Sequence, residues 1–197
     1  MDDKYAIQLQ RFTLAYMKEY LEPGSYSTLL DKVRSLKNHI LKEDWTFVIP
    51  RDHPLTFIKN DSNLQIDITC MIVVHENSIK KHNIELRVLS IEDNPKVKFK
   101  FHIDQKDPKL KDHPWYHLQM EDSPRFPFPP MDIILLCEFV LVNFFHKKSE
   151  DLRRDGGWRN IVINSQHLFQ KEYYHMCNNC IDNNSDATLM EHLFNYP

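Results

Sequence analysis

Apolar positions at helical spacing run through the first forty residues. Between Lys4 and Tyr20 they recur every three or four positions, and Glu22-Pro23-Gly24 is expected to end this helix. Ser25 or Ser27 can cap a second helix that reaches about Leu41. The pattern therefore predicts two helices at the start of the chain.

The central part of the chain changes to a period of two, which is typical of strands. β-Branched and aromatic residues alternate with polar ones, and Asn, Asp, Pro and Lys separate the runs. Because the connections are short, we expect an antiparallel meander with one face on the core. The predicted strands cover residues 46–49, 55–59, 64–74, 84–90, 97–104 and 115–120.

The last third of the chain returns to helical spacing. A proline-rich turn from Ser123 to Pro130 leads into an apolar helix from Met131 to Phe145. The charged stretch from His146 to Asp155 is expected to be a loop or a frayed helix end. Two further helices are predicted, over residues 158–181 and 187–194.

These patterns predict an α+β fold, with an antiparallel meander sheet of about five or six strands. The N-terminal and C-terminal helices are expected to pack on one face of that sheet. A chain of 197 residues is long enough for one substantial core. We therefore expect a single domain over residues 1–197, helical over 1–41, sheet over 45–120 and helical over 130–195.

Composition and charge narrow the classes of function. Neither Gly24 nor Gly156-Gly157 lies in a phosphate-loop pattern, which argues against Walker-type and dinucleotide-binding sites. The formal net charge of −3 lacks the basic excess that is usual for nucleic-acid binding through phosphates. The longest apolar stretch is too short and too polar to span a membrane. Since no secretory signal is recognisable, we expect a cytoplasmic protein, and we expect no resident cofactor.

The fifth and sixth predicted strands carry most of the candidate chemistry. Side chains alternate along a strand, so His102 and Asp104 face away from the core. If the two strands pair across their connecting loop, His117 and Gln119 share that face, with His113 at the mouth of the loop. A slip of one residue would separate the two polar sets, so this site depends on the register.

Three interpretations of this polar set remain open. Two histidines and a carboxylate can bind a divalent metal. Histidine and aspartate with Lys98 or Lys100 nearby can perform acid–base chemistry on a phosphodiester, or bind one. The third interpretation is the ordinary solvated face of an antiparallel sheet, which explains polar residues without any function.

The turn and helix that follow hold charged residues among apolar neighbours. Arg125 can hold a phosphate or a carboxylate with its planar fork, or it can pair with Asp132 or Glu138 as a structural tie, which we favour. Glu138 lies in a helix that is apolar on nearly all sides, so it needs a partner or a shifted pKa.

The four cysteines form no complete metal-binding motif. Cys70 and Cys137 lie in apolar runs and are expected to be buried thiols. His175, Cys177 and Cys180 look like half of a zinc site, but no second pair of ligands is evident unless a further histidine completes it. We therefore expect no metal and interpret Cys177 and Cys180 as free thiols at a helix end.

Three segments carry a resemblance to a known family: His113-Pro-Trp-Tyr-His-Leu-Gln119, Pro124-Arg-Phe-Pro-Phe-Pro-Pro-Met-Asp132 and Leu135-Leu-Cys-Glu-Phe-Val-Leu-Val-Asn-Phe144. Over residues 97–180 the chain resembles a bacterial family of unknown function that is often encoded in mobile or anti-phage defence islands. That family carries no established reaction. The resemblance implies an accessory or effector protein that works beside other components.

We therefore expect a non-enzymatic accessory or interaction subunit of a bacterial defence or toxin–antitoxin-like system, with a protein partner encoded nearby. One alternative is a nuclease-like effector, and another is a nucleic-acid-binding module. Substrate, partner identity and oligomeric state stay open. The candidate catalytic residues are His102, Asp104, His113, His117 and Arg125, and the candidate partner-binding residues are Lys98, Lys100, Trp115 and Gln119.

Overall fold

A computed structural model describes residues 4–39, 44–58, 64–76, 78–91, 96–105, 114, 116–121 and 124–165. The helices are α1 (Lys4–Ala15), α2 (Pro23–His39), α3 (Ile133–Phe144) and α4 (His146–Arg154). A 3-10 turn, Met17–Glu19, follows α1, and residues 156–165 are also helical. The strands are β1 (Trp45–Ile49), β2 (Leu55–Thr56), β3 (Leu64–His75), β4 (Ser78–Ser90), β5 (Val97–Gln105), β6 (Tyr116–Met120) and β7 (Arg125–Pro127).

The strands form one open antiparallel sheet in the order β1-β3-β4-β5-β6-β7, and β2 also pairs with β3, beyond the end of β1. From β3 to β7 each strand pairs with the next strand along the chain, which is the expected meander. The sheet lies between N-terminal and C-terminal helices in the sequence. The predicted α+β class is therefore confirmed.

One face of the sheet is apolar and packs against the helices. Phe139 of α3 contacts Phe101 of β5, with ring centroids 5.5 Å apart. Phe145 packs between Tyr20 and Phe57, at centroid distances of 5.9 and 6.0 Å. Strict alternation sends these strand residues to the core: Ile66, Ile68, Cys70, Ile72 and Val74 of β3, and Ile84, Leu86 and Val88 of β4.

The first helical region is divided differently from the prediction. Helix α1 ends at Ala15, and Pro23-Gly24 begins α2 instead of ending the preceding helix. Proline suits the first turn of a helix, because its φ angle is already helical and no amide hydrogen is needed there.

The charged stretch after α3 was also predicted wrongly. It forms α4, with Ser149 buried and Leu152 packed against the core. Few of its positions face inward, so the apolar periodicity is sparse, although Lys, Glu and Arg are good helix formers.

Further elements differ from the prediction in their bounds. β4 begins at Ser78 instead of Ile84, and the proline-rich turn contains β7. The predicted helix over 158–181 is present as far as residue 165. Its remainder, the helix predicted over 187–194 and the half-site of His175, Cys177 and Cys180 lie outside the described residues. Within the described ranges, no helix combines the length and the apolar character needed to cross a membrane.

Candidate functional site

The sheet face turned away from the helices is lined by polar side chains, and we call it the polar face. Residues directly opposite each other on paired strands share a face, so the register arranges this surface in rows. From β2 towards β7 the rows are Thr56, Asp67, Arg87 and Lys100; Thr69, Glu85, His102, Gln119 and Arg125; and Asn83, Asp104 and His117.

The pairing of β5 with β6 unites the two polar sets on which the predicted site depends. His102 lies opposite Gln119, and Asp104 lies opposite His117. Side chains on such opposite positions have Cβ atoms roughly 5 Å apart. The structure therefore places all four residues on one surface, whereas His113 and Trp115 lie outside the described residues.

His102 and Asp104 form an ion-paired dyad two residues apart on β5. The Nε2 atom of His102 lies 3.1 Å from Oδ2 of Asp104, and the Asn83 amide donates to Oδ1 of the same carboxyl. Burial raises the pKa of Asp104, while His102 and Asn83 act in the opposite direction. Asp104 thus engages Nε2 of His102, and Nδ1 has no partner among the described residues.

His117 is held by the backbone next to it in sequence. Its Nδ1 atom lies 3.2 Å from the carbonyl oxygen of Pro114, and the residue is buried. Among the described residues, no group of three His, Cys, Asp or Glu is arranged to hold a metal ion. The two-histidine metal site considered above is therefore not assembled from His102, Asp104 and His117.

A buried carboxylate that the sequence analysis did not single out lies at the centre of the polar face. The Glu85 side chain is only 2% exposed and is surrounded by three cations. Its Oε2 atom lies 2.8 Å from Arg51 and 3.6 Å from Lys100, and Oε1 lies 3.5 Å from Nε of Arg87. The charge of Glu85 is thus compensated on three sides.

Asp67 is a second buried carboxylate on this face. Its Oδ1 atom accepts from the Thr56 hydroxyl at 2.9 Å and from the Gln65 amide at 3.1 Å. The Arg87 guanidinium lies 3.8 Å from Oδ2 and links Asp67 to Glu85. The alternation of Asn83, Glu85 and Arg87 with the apolar positions of β4 was the sequence signal for this network.

Arg125 does not make the structural tie that we favoured. It lies opposite Gln119, so its side chain belongs to the polar face, and no described residue forms an ion pair or hydrogen bond with it. Glu138 instead lies 3.8 Å from Nε of Arg153. The reason is topological, because α3 packs on the other face and the sheet separates Arg125 from Glu138 and Asp132.

Asp132 caps α3 from within the core. Its Oδ1 atom accepts the amide hydrogen of Leu135 at 2.8 Å, and its side chain is fully buried. Burial raises the pKa of Asp132 to about 7. Burial first, and then the Asp132 charge, raise the pKa of Cys70 and hold that of Tyr5 well above its usual value. Asp132 is thus a structural cap on the helix face of the sheet.

His82 holds the same junction between the sheet and α3. Its Nε2 atom lies 2.6 Å from the carbonyl oxygen of Met131, and its ring meets that of Tyr116 edge-on. Burial lowers the pKa of His82 to about 4. A neutral imidazole therefore belongs to the folded core.

Exposed apolar side chains gather where the helices no longer cover the sheet. Phe99, Met120 and Phe126 are 36%, 40% and 49% exposed, and we call them the apolar patch. Met120 pairs with Phe101, and Phe126 pairs with Leu118, so these side chains stand on the helix face of the sheet. Each is a diagonal neighbour of the next, within reach of large side chains.

The predicted partner-binding residues occupy different environments. Lys98 is exposed, and Lys100 is engaged with Glu85. Gln119 is buried, and its amide donates to the carbonyl oxygen of Glu121 at 2.8 Å. They do not form one exposed surface.

Comparisons of the chain with models of known protein families, with curated proteins and with solved structures find no match.

Proposed function

We propose that the chain is a non-enzymatic accessory or interaction subunit that binds a protein partner. The apolar patch of Phe99, Met120 and Phe126 carries this proposal. We assign the chain to a bacterial defence or toxin–antitoxin-like system in the cytoplasm because the segments between His113 and Phe144 resemble the bacterial family described above. A partner encoded by a neighbouring gene is the expected occupant of the patch.

The position of the patch supports a docking role. Phe139 of α3 covers Phe101, and the exposed side chains begin immediately beyond that contact. Grouped exposed aromatic and aliphatic side chains favour association, because water is released when they are covered. Single exposed apolar residues elsewhere, such as Leu14 on α1, need no such explanation.

The charges around the patch indicate the chemistry of the partner. Lys96 and Lys98 are exposed at the start of β5, and Glu121 is exposed beside Met120, at the same end of this antiparallel strand pair. A complementary partner surface carries apolar side chains bordered by charges of both signs. Such charges orient a partner more than they add affinity.

The two buried carboxylates of the polar face argue against a catalytic role for these groups. Glu85 and Asp67 are buried and are satisfied by cations and hydrogen-bond donors of the same face. A catalytic acid or base needs access to a substrate, and these two carboxylates are enclosed by their own partners.

Copurification tests the proposed function. The tagged chain is co-expressed with each protein encoded beside it, as wild type, as Phe126→Asp and as Ile163→Asp. Ile163 is a matched control, because it is 48% exposed and lies on the last described helical stretch. We expect a neighbouring protein to copurify with the wild type and with Ile163→Asp, and to be lost with Phe126→Asp.

Two outcomes would overturn this proposal. One is that no neighbouring protein copurifies, and the other is that Phe126→Asp retains the partner as well as Ile163→Asp does. Light scattering of the isolated chain tests whether a second copy of this chain occupies the patch instead. A dimer that dissociates in Phe126→Asp would assign the patch to a second copy of this chain.

A second candidate function, a nuclease-like effector, is favoured by one observation. His102 is paired through Nε2 with Asp104, which is the arrangement that orients an imidazole for acid–base chemistry. If the chain cleaves RNA or DNA, His102→Ala should abolish cleavage, whereas His53→Ala, an exposed histidine in the β1–β2 connection, should leave it unchanged. Cleavage that survives His102→Ala would remove this candidate.

A further inference from the structure

Arg125 stands on the polar face without an acidic partner among the described residues. Its side chain is half-buried, and its Nε atom is buried without a hydrogen-bond partner. Removing part of a guanidinium from water without an acceptor is unfavourable, and a bound anion would relieve that cost. The other arginines of this face, Arg51 and Arg87, are ion-paired with Glu85.

We propose that Arg125 and His102 bind a phosphate-type oxyanion between them on the polar face. Both residues lie directly opposite Gln119, one on each neighbouring strand. Adjacent strands are about 4.8 Å apart, which sets the two backbones roughly 10 Å apart across β6. A separation of that size suits a small tetrahedral anion that accepts from an arginine on one strand and a histidine on the other.

The donors needed for an oxyanion are available at this position. Asp104 engages Nε2 of His102, and no residue of the described ranges pairs with Nδ1, which donates to an oxyanion when the imidazole carries a hydrogen on both nitrogens. The Gln119 amide nitrogen donates to the backbone of Glu121, and no hydrogen bond joins the Gln119 Oε1 atom to Nε of Arg125. A guanidinium offers two parallel N–H groups, which match two oxygens of one phosphate.

The acidic groups of the face do not oppose an anion there. Glu85, the carboxylate opposite His102 on β4, is surrounded by three cations. Asp104 is engaged by His102 and by the Asn83 amide. Arg125 is therefore the charge that this part of the face leaves uncompensated among the described residues.

A tetrahedral anion suits this pair of donors better than a carboxylate does. A carboxylate that receives the Arg125 fork uses both of its oxygens, and its remaining lone pairs lie in the same plane. A phosphoryl group presents oxygens to two sides at once, so it can accept from Arg125 and from His102 together. The phosphoryl group can belong to a free phosphate, a phosphate monoester or a phosphodiester of a nucleic acid.

This inference does not rest on the proposed protein partner. The apolar patch lies on the helix face of the sheet, and the oxyanion position lies on the opposite face. Both ligands can therefore be bound at the same time, and each can be tested without the other.

A titration followed by NMR tests the proposal directly. Uniformly ¹⁵N-labelled protein is titrated with inorganic phosphate, with a thymidine dinucleotide that has one phosphodiester, and with acetate. We expect phosphate or the dinucleotide to shift the Arg125 Nε–H and His102 imidazole signals, and acetate to bind more weakly. Arg125→Gln should lower the affinity about tenfold or more, which is the scale of a charge-assisted hydrogen bond.

Control variants separate this site from general charge effects. Arg34→Gln removes an exposed arginine on α2 and should leave the affinity unchanged. Arg125→Lys keeps the charge but loses the fork, so it should bind more weakly than the wild type, and it serves as a second variant if Arg125→Gln does not fold. Tighter binding of the dinucleotide assigns a phosphodiester, and tighter binding of phosphate assigns a free phosphate or monoester.

Three results would overturn the proposal. The first is an absence of shifts at Arg125 with either phosphoryl ligand. The second is equal affinity in Arg125→Gln and in the wild type. The third is acetate binding as tight as phosphate binding, which would remove the phosphoryl class.

Discussion

Both faces of the sheet bury carboxyl groups, and they do so in opposite ways. Asp132 on the helix face accepts an amide hydrogen of α3 in an apolar core, and its pKa rises to about 7. Glu85 on the polar face is similarly inaccessible to solvent, but it lies among Arg51, Arg87 and Lys100. Burial alone favours the neutral acid, whereas nearby cations favour the charged one.

This difference separates structural roles from functional ones. The helix face shifts the pKa values of Asp132 and His82 towards their neutral forms and uses both residues as hydrogen-bond partners. The polar face keeps charges and arranges them in rows across the strands. A charged side chain without an ion-pair partner among the described residues, such as Arg125, therefore indicates a ligand site when it lies on the polar face.

The largest expected effect concerns the pH dependence of stability through Asp132. Its pKa is about 7 in the folded chain and 3.8 ordinarily, so its contribution to stability is complete below about pH 4 and is lost as pH rises through 7. That loss amounts to about 4 kcal/mol. Asp132→Asn keeps a capping oxygen and does not titrate. Between pH 4 and pH 8, we expect the unfolding free energy of Asp132→Asn to rise by about 4 kcal/mol relative to that of the wild type. Urea unfolding at each pH measures this difference.

His82 makes stability depend on pH in the opposite direction from Asp132. Its pKa falls to about 4 from an ordinary 6.5, so stability is complete above pH 6.5 and is lost as pH falls through 4. The slopes of His82 and Asp132 oppose each other in the wild type over this window. In Asp132→Asn, stability should therefore rise with pH from 4 to 6.5. A difference from the wild type that stays constant with pH would show that Asp132 does not titrate in this range.

The second prediction concerns the charged carboxylate of the polar face. Glu85→Gln keeps the shape of the side chain but leaves the cations around it uncompensated, so we expect a loss of about 3 kcal/mol in the free energy of unfolding. Glu76→Gln, at an exposed position in the β3–β4 turn, is the control and should change little. Equal unfolding free energies for the two variants would mean that the cations do not depend on Glu85.

The smallest effect should come from Arg51, the closest of the three cations to Glu85. Its side chain is 69% exposed, so solvent screens the pair, and Arg51→Ala should cost about 1 kcal/mol in urea unfolding. Arg34→Ala, with an exposed partner in Asp31, should cost less. A loss in Arg51→Ala as large as that in Glu85→Gln would assign the whole compensation to this one arginine.

The sheet could be predicted from the sequence because alternation is a strong local signal in β3 and β5. Helix α4 was missed because few of its side chains, Ser149 and Leu152 among them, turn inward. Pro23-Gly24 was misassigned because proline is common both after the end of a helix and in the first turn of one. These errors arise where a local pattern permits two structures and tertiary packing selects one.

The site could be predicted only as far as one pair of strands. The faces of His102 and His117 follow from alternation, but Glu85 joins them through the pairing of β4 with β5, which shifts register between Val88 and Leu89. Arg51 comes from a connection far away in sequence. The tie from Arg125 to Glu138 was wrong, because closeness along the chain does not show on which side of a sheet a residue lies.

The two lateral borders of the sheet, among the described strands, are both interrupted by proline. On one side Pro50 and Pro54 separate β1 from β2, and on the other β7 has three residues and ends at Pro127. Proline cannot donate a ladder hydrogen bond, and short borders give a foreign strand little to pair with. Both features disfavour the addition of a foreign strand to the meander. A partner protein is therefore expected to bind the faces of the sheet, where its side-chain contacts determine whether it binds.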